Sequence, residues 1–449
     1  MRPFESQGLW YLPETPKDLV AGTLTYSVDD GLILKLTGTL KEATGPIGAT
    51  NYPVIHGFVR DSPYGRRVTL VDCFQRRSTF AIPGFASEEV RANRAYVGAH
   101  HLTTEAESVF TSFRARYASL GEWTRLSGLR ELSHSREKSH QISVHYREPE
   151  PLRFGVDGHA LLIEAGAKWV HGSDEFSITE KPYITIDRLH TAPREALHTF
   201  VHPFQDFLTF ASDRAIAIEE IAFFGDSKTT PEPVHLIFQP IYRQDPDSSQ
   251  LSYTDMLFTW PDIAQSHSDI VEKWLRFRRE FQSACDVFFG IQYAPPAFVE
   301  MRFLLSTIAL GLILPRQVGS SGVHLSIERL RQEFTSERDR RWLDILPTEP
   351  ELSLPWTAFA FVNEYRELLR PVVGEDVEAF ITHIVDTRHH LFHRGIGDRI
   401  NPDKGLRLWQ LSEKTGLLVK IAILNALGFS RDEIVSLVSH SRRYLSLVS

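Results

Sequence analysis

The sequence predicts an α+β chain with more than one domain, in which a β-rich mixed N-terminal region precedes an all-α helical bundle. Three observations support this fold class. The 449 residues exceed what one ordinary hydrophobic core accommodates. Short β-branched or alternating runs bounded by turn residues dominate the first half. After about residue 255, apolar residues recur at three- and four-residue steps, which is typical of amphipathic helices.

The strands of the first half are predicted from runs rich in Val, Ile, Leu, Thr and aromatic residues. They fall at Gly22–Tyr26, Leu32–Gly38, Val68–Phe74, Ser143–His145, Leu152–Gly155 and Tyr183–Asp187. A helix from Pro193 to Arg214, followed by strands at Ala215–Phe224 and Val234–Ile241, makes the region mixed rather than all-β.

A polar segment, Arg243–Ser252, is predicted to link a domain of residues 1–250 to a domain of residues 256–449. Helices are expected at 263–289, 296–314, 324–345, 355–371, 375–394, 404–427 and 430–446. Helices of this length with short connections pack as a bundle. The core face predicted for the helix at 404–427 consists of Leu406, Trp409, Leu411, Leu417, Leu418, Ile421, Leu424 and Leu427.

The amino-acid composition limits the cellular compartments and the kinds of partner that we expect for this protein. Two cysteines, Cys73 and Cys285, are too few for a disulfide framework or a thiolate zinc site, which fits a reducing cytoplasm. The longest apolar stretch, Phe303–Leu314, is far shorter than the roughly 20 residues that span a bilayer. The amino terminus also lacks the apolar run of a signal peptide. We therefore expect a cytoplasmic protein without membrane contact.

A net charge of −8 argues against a general polyanion binder, so any bound RNA requires a local basic patch. Two arginine clusters are candidates. They are Arg276, Arg278 and Arg279 on one helix, and Arg338, Arg340 and Arg341 on another. Clusters of this kind also commonly decorate a solvated helix face.

The strongest functional candidate is the octet Arg-His-His-Leu-Phe-His-Arg-Gly at residues 388–395. A neutral imidazole can remove the proton of a ribose 2′-OH, and an imidazolium can protonate the leaving 5′-oxygen. A guanidinium can neutralise the phosphate as charge develops. The catalytic candidates are Arg388, His393 and His389, with His390 and Arg394 as substrate contacts. This chemistry requires no metal and no cofactor, and it predicts an endoribonuclease.

Helical context distinguishes Arg388 and His393 from similar pairs elsewhere. Arg94 with His100 and His101, and Arg153 with His159, lie where strands and loops are expected. Before Arg388, by contrast, the acids of Glu375–Val385 occupy a first helical turn, where the helix dipole favours them. An apolar face follows, formed by Val377, Phe380, Ile381, Ile384 and Val385, and Gly395 and Gly397 end the predicted helix.

Five residues of straight helix rotate the side chain by roughly 140°, so Arg388 and His393 do not share one face. A helix end between them, or a second copy of the protein, would have to complete the site.

A second histidine stripe, His198 and His202 with Asp206, has a spacing that zinc can use. The glutamate of the zinc-protease signature is absent, however, and Pro203 follows directly. We therefore expect no metal site.

Three segments of the first half resemble the ApeA family of bacterial anti-phage proteins: Gly8–Pro13, Val20–Leu24 and Leu34–Gly38. The late Arg388, His389 and His393, in a helical region, resemble the HEPN ribonuclease domain that forms the C-terminal half of this family. The resemblance implies a site where two HEPN bundles pair, so that two arginines and two histidines meet. It also implies cleavage that leaves a 2′,3′-cyclic phosphate, RNA such as host tRNA as substrate, a phage-derived trigger, and a homodimer.

The chain departs from the family on the second helix of the bundle, where members often carry a glutamate. Leu304–Leu312 is almost entirely apolar here, which puts a contribution of that helix to the site in doubt. Three function classes follow. The chain is an abortive-infection ribonuclease whose first domain senses or restrains it, a non-catalytic bundle that binds RNA or protein, or chiefly a β-rich module that recognises a phage component. The first and third are compatible.

Overall fold

A computed structural model describes residues 1–41, 50–79, 84–103, 109–135, 141–156, 158–172, 176–225, 232–243, 251–295, 298–320, 354–392 and 405–448. The chain falls into two compact units. The first comprises Met1–Leu208, Ile216–Tyr253 and Thr259–Ser268, and the second comprises Thr209–Ala215, Thr254–Phe258 and Asp269–Ser449. The first is β-rich and the second is helical, which confirms the predicted α+β class. Most of the predicted linker and the predicted helix at 324–345 lie outside the described residues, and the domain boundary between 250 and 256 stays a prediction.

The first unit is built on a 12-stranded sheet and a two-stranded one. The strands are β1 (Phe4–Tyr11), β2 (Val20–Ser27), β3 (Gly31–Thr37), β4 (Asn51–Val59), β5 (Arg67–Thr79), β6 (Ser87–Gly98), β7 (Phe110–Tyr117), β8 (Leu129–Ser135), β9 (Gln141–Tyr146), β10 (Leu152–Val156), β11 (His159–His171), β12 (Phe176–Thr191), β13 (Ile218–Phe224) and β14 (Val234–Phe238). The large sheet has the order β10-β11-β12-β7-β13-β14-β6-β3-β2-β1-β4-β5, and β8 pairs with β9. All of the pairings are antiparallel.

Strands β1 to β6 close on themselves, because β5 pairs with β6 as well as with β4. Inward-facing apolar side chains fill this ring, as alternation along each strand requires. Trp10 is fully buried in it and donates from its indole N–H to the carbonyl of Gly22 at 3.3 Å. A Cβ at Gly57 would approach the Trp10 ring to 2.3 Å, so only glycine fits beside this indole.

The predicted strands are confirmed, but β1, β4, β6, β7, β8 and β11 were not predicted. The helix predicted at 193–214 is interrupted. It consists of α2 (Pro193–Ala196), a π-helical turn (Leu197–Val201) and α3 (His202–Ser212). A further short helix, α1 (Leu120–Thr124), follows β7.

The remaining described helices are α4 (Trp260–Ile263), α5 (His267–Glu280), α6 (Gln282–Tyr293), α7 (Val299–Ser320), α8 (Leu354–Glu364), α9 (Arg366–Val373), α10 (Val377–Phe392), α11 (Leu406–Ala426), α12 (Arg431–His440) and α13 (Arg442–Val448). Helix α7 packs against α6, α8, α10 and α11, and α10 also packs against α8. None of the helices that the structure describes is both long enough and apolar enough to cross a membrane.

Three predicted helices are each divided in two. Kinks at Phe281 and Tyr365 separate α5 from α6 and α8 from α9, although backbone hydrogen bonds continue across both positions. At Ser441 the backbone becomes extended, and the Ser441 hydroxyl accepts from the Tyr444 N–H at 3.3 Å, which starts α13.

The core face predicted for α11 is wrong at its start. Leu406 and Trp409 are 69% and 40% exposed, whereas Leu408 between them is fully buried, so the core face at the start of α11 runs through Leu408. The other predicted core residues of this helix are buried, and they are Leu411, Leu417, Leu418, Ile421, Leu424 and Leu427.

The core of the second unit contains charged side chains. Lys420 of α11 is buried and donates to the carboxylate of Asp213, which also lies 3.8 Å from the guanidinium of Arg443. Burial lowers the pKa of Lys420 to about 8, with Arg443 acting in the same direction and Asp213 opposing it. Burial by itself raises the pKa of Asp213, but the charges of Lys420 and Arg443 outweigh it and hold that pKa below its usual value. The pair is therefore ionised at neutral pH.

The free energy of unfolding should increase as pH rises from about 8 towards 10.5. The lower value is the pKa of Lys420 in the folded protein, and the upper value is its ordinary pKa, which applies to the unfolded chain. In this window the unfolded chain binds the lysine proton and the folded chain releases it, so unfolding takes up protons and becomes less favourable as pH rises. Urea titrations at several pH values should show this slope in the parent and a smaller one in Lys420→Met. Equal slopes in the two proteins would contradict the assignment.

Candidate active site

Helix α10 carries the described part of the Arg-His motif. Its first turn is capped by Asp376, whose carboxylate accepts from the Ala379 N–H at 2.8 Å. The predicted apolar face is confirmed at Val377, Phe380, Ile381 and Ile384, all buried, whereas Val385 is only half-buried. Thr387 extends this buried stripe by one turn. The stripe faces the partner helices α7 and α8, so the packing of α10 fixes the direction of the residues that follow Thr387.

The three predicted site residues that the structure describes, Arg388, His389 and His390, point in different directions. Each residue advances the helix by about 100°, so Arg388 and His390 lie on either side of the Thr387 stripe, and His389 lies nearly opposite it. Burial agrees with this geometry, since Arg388 and His390 are half-buried and His389 is exposed. Arg388 and His389 therefore do not share one helix face.

Phe392 is a neighbour of Arg388 that the sequence reasoning missed. The guanidinium carbon of Arg388 lies 5.8 Å from the centroid of the Phe392 ring, which is 52% exposed. A guanidinium over an aromatic face is attracted by the ring quadrupole, and this contact restrains the side chain near the end of the described helix. The i, i+4 spacing of the two residues was the signal for this pair.

A carboxylate stands one turn before His390. His383, Asp386 and His390 follow one another at steps of three and four, which places them on one stripe of α10. A carboxylate in this position can orient a neighbouring imidazole. This spacing is present in the sequence, but Asp386 precedes the octet and was not predicted as a site residue.

His393 and Arg394, the remaining predicted site residues, lie outside the described residues, as do Gly395 and Gly397. The structure describes α10 as far as Phe392, immediately before His393. The pairing of Arg388 with His393, and the roles of His389, His390 and Arg394, therefore stay predictions.

The competing Arg–His pairs occupy other settings. Arg94 donates to Asp72, and the His101 ring stacks on that of His56 with 4.4 Å between centroids. Burial, together with the neighbouring His56, lowers the pKa of His101 to about 4, so this imidazole is neutral. Its stacking partner was not identified from the sequence.

The second of these pairs belongs to the β10–β11 hairpin. Arg153 is exposed on β10, and His159 packs edge-on against Phe200 with 5.2 Å between ring centroids. Neither residue lies on a helix of the described structure.

The His198 stripe does not converge on a metal site. His198 is exposed and Asp206 is buried, so the two side chains lie in different environments. Across the described ranges, no group of three or more His, Cys, Asp or Glu side chains is placed to hold a metal ion.

The described RNA-patch candidates pair within the protein. Arg276 lies 3.4 Å from Glu272, and Arg278 donates to Asp286. These contacts favour a solvated helix face for this cluster. The second cluster, Arg338, Arg340 and Arg341, lies outside the described residues.

Comparison with known protein families decides the relationship of the chain. The model of the ApeA N-terminal domain 1 matches residues 5–274. The chain belongs to the ApeA family. The model of the Apea-like HEPN domain matches residues 332–433, a range that includes α8 to α11 and the whole octet. No curated protein and no solved structure matches the chain. Since HEPN domains are generally ribonucleases, this ApeA family member is a defence-related protein of the ribonuclease type.

Proposed function

We propose that this protein is a metal-independent endoribonuclease of bacterial anti-phage defence that acts by abortive infection. The observation that carries the proposal is the position of Arg388. It flanks the buried stripe of a helix in the HEPN region, near the end of the described helix and five residues before His393. Arg388 is half-buried, and its contact with Phe392 restrains the guanidinium. In this position the guanidinium can bind a phosphate.

In the proposed reaction, one imidazole removes the proton of the ribose 2′-OH, and the resulting oxygen attacks the adjacent phosphorus. The bond from phosphorus to the 5′-oxygen breaks, and an imidazolium protonates that oxygen. The products are a 2′,3′-cyclic phosphate and a 5′-hydroxyl. Arg388 stabilises the charge that develops on the phosphate. His393 supplies the imidazole, and its copy in a second subunit supplies the imidazolium. His389 supports this catalytic pair, and His390 and Arg394 contact the RNA.

Residues 1–250 act, in this proposal, as the sensing and regulatory domain. A cellular nuclease acting on host RNA such as tRNA is toxic when it is always active, so this domain restrains cleavage until a phage-derived trigger is present. The proposal places both domains in the cytoplasm, with no membrane contact.

Arg388→Lys should lower the cleavage rate about 10²-fold, the size of effect seen when one donor to a transition-state oxyanion is lost. Lysine keeps the charge but lacks the planar fork that holds two phosphate oxygens. Single-turnover cleavage of a labelled RNA measures the rate, and Arg431→Lys, on an exposed arginine of α12, is the matched control. If the Arg388→Lys variant cleaved RNA as fast as the parent, Arg388 would contribute only its charge and not a two-point contact with the phosphate.

Dimerisation should depend on exposed apolar side chains at the end of α10 and the start of α11. Phe392, Leu406 and Trp409 expose their apolar surface at these two helix ends. A two-fold pairing that brings two motifs together would cover such side chains. Trp409→Glu should weaken self-association at least tenfold and reduce cleavage with it, since buried tryptophan anchors are each worth about 2 kcal/mol or more.

Sedimentation velocity at micromolar concentration checks this expectation. Leu445→Glu, which places the same charge on an exposed leucine of α13, is the control. A protein that cleaves RNA while it remains monomeric would contradict the shared site.

A further inference from the structure

A cavity of about 470 Å³ lies within the first unit, where the start of β3, the middle of β6 and the end of β14 meet the π-helical turn. Its size is that of pockets that hold small organic ligands. The residues that line it come from the first unit alone. Neither the candidate nuclease site nor the family motifs account for it.

Two arginines and two histidines line the cavity. Arg91 and Arg94 of β6 line it, together with His198 and His202. Arg91 donates to the side-chain oxygen of Gln239 at 2.6 Å, and no carboxylate within the described ranges forms an ion pair with it. A guanidinium bound only to a neutral amide keeps its full charge for a ligand, so an anionic group is favoured here.

The Arg91 side chain is held in place by a second layer of contacts. The amide nitrogen of Gln239 donates to the carbonyl of Asp29 at 2.8 Å, which fixes the oxygen that Arg91 contacts. Arg94, in turn, donates to Asp72. Arginines positioned by neighbouring groups lose less conformational entropy when they bind a phosphate.

Part of the cavity wall is apolar, and Phe238 in this part is the cross-strand neighbour of Arg94. Leu197, Ile218 and Phe238 line it, and the first two are buried. A simple inorganic anion would leave this wall in contact with water. A ligand that carries both an anionic group and a flat or apolar ring would contact the arginines as well as these apolar side chains.

Two backbone irregularities meet at the cavity. The π-helical turn contributes Leu197 and His198, and turns of this type occur frequently at functional sites. Asp72, opposite Arg94, has φ = +54°, a conformation that a residue with a side chain seldom adopts. Such irregularities persist where the surrounding structure requires them, and they cluster at ligand sites.

We propose that this cavity binds a phosphorylated organic molecule of nucleotide size, with the phosphate at Arg91 and Arg94 and the ring against Leu197, Ile218 and Phe238. The inference goes beyond the proposed nuclease function, and it assigns a small-molecule site to the N-terminal unit. Binding does not depend on cleavage, so the two proposals can fail separately.

Isothermal titration of the full-length protein with ribonucleoside mono- and triphosphates tests the site, with inorganic pyrophosphate and a short RNA lacking a terminal phosphate as further probes. At least one nucleotide should bind, and Arg91→Gln should weaken its binding at least tenfold. His198→Gln, on an exposed helical residue, should weaken it as well and provides a second variant if Arg91→Gln is unstable. Arg60→Gln removes the same charge from an exposed position of the same unit and should leave affinity unchanged.

Three outcomes would overturn the proposal. They are the absence of binding by every nucleotide, binding by pyrophosphate as tight as that by the best nucleotide, and nucleotide binding that Arg91→Gln and Arg60→Gln reduce equally. A fourth contradicting result would be binding of the RNA probe that nucleotides do not compete with, which would indicate a surface for RNA and not a small-molecule site. Unfolding midpoints of the variants, measured without ligand, separate loss of the site from loss of the fold.

Discussion

His393→Ala should lower the rate of RNA cleavage by about 10² to 10⁴, the usual contribution of a general acid or base. The imidazole is expected to move the proton of the 2′-OH or of the leaving oxygen, and alanine can do neither. Cleavage by the parent should continue at the same rate in EDTA, because the proposed chemistry uses only imidazole and guanidinium groups. A labelled RNA and purified full-length protein, assayed under single-turnover conditions, give both rates.

His440→Ala is a matched control for this experiment. His440 is an exposed histidine at the end of α12, with its Nδ1 bonded to the carbonyl of Ser436 at 2.6 Å. Its removal should leave the rate unchanged. Near-parent cleavage by His393→Ala would reject the catalytic assignment, whereas loss of cleavage with an intact effect on phage infection would favour a bundle that acts by binding.

Asp213→Asn should lower the free energy of unfolding by about 3 kcal/mol, because it leaves the buried Lys420 without a compensating charge. Asparagine is the right replacement, since Asp213 has φ = +52° and asparagine also tolerates this conformation. The variant therefore tests the charge rather than the shape. Urea unfolding at pH 7, followed by circular dichroism, measures the loss.

Glu272→Gln provides the comparison, since it removes the same charge from an exposed i, i+4 pair with Arg276. Exposed pairs of this kind contribute less than about 1 kcal/mol. If both variants lost the same small amount, the buried pair would be no more important than a surface one. If Asp213→Asn were severely destabilised and a Lys420→Met replacement in the same protein restored stability, the uncompensated charge would be identified as the cause.

Local periodicity explains how much of the fold could be predicted. The apolar face of α10 was readable because Val377, Phe380, Ile381 and Ile384 repeat at helical steps and all pack against the same side. The start of α11 was predicted wrongly, because several apolar residues follow one another there and the sequence does not show that Leu408, rather than Leu406 or Trp409, faces the core.

Long-range partners explain what was missed. In β6, the inward position of Glu88 breaks the apolar alternation, and the sequence gives no sign that this carboxylate is satisfied. In the structure Glu88 accepts from the Tyr52 hydroxyl at 2.6 Å, the Leu40 N–H at 3.1 Å and the Gln75 amide at 3.0 Å. These donors are far away in the chain, so no window of sequence around Glu88 could reveal the strand.

The candidate site divides in the same way. The motif and its helix were evident from spacing, whereas the contact between Arg388 and Phe392 required the geometry of α10. The cavity beside Arg91 could not be predicted at all, because a π-helical turn, parts of several strands and a neutral glutamine from distant parts of the chain form it.

The closure of β5 on β6 has a consequence for solubility. A strand whose backbone groups are unpaired can recruit another chain and begin aggregation. In the large sheet, closure occupies both sides of β5, so β10 remains as the terminal strand of the described order. It is only five residues long, and Arg153 is exposed near its centre. Short length and an exposed charge discourage intermolecular pairing along β10, so the terminal strand of this order offers other chains little backbone on which to grow.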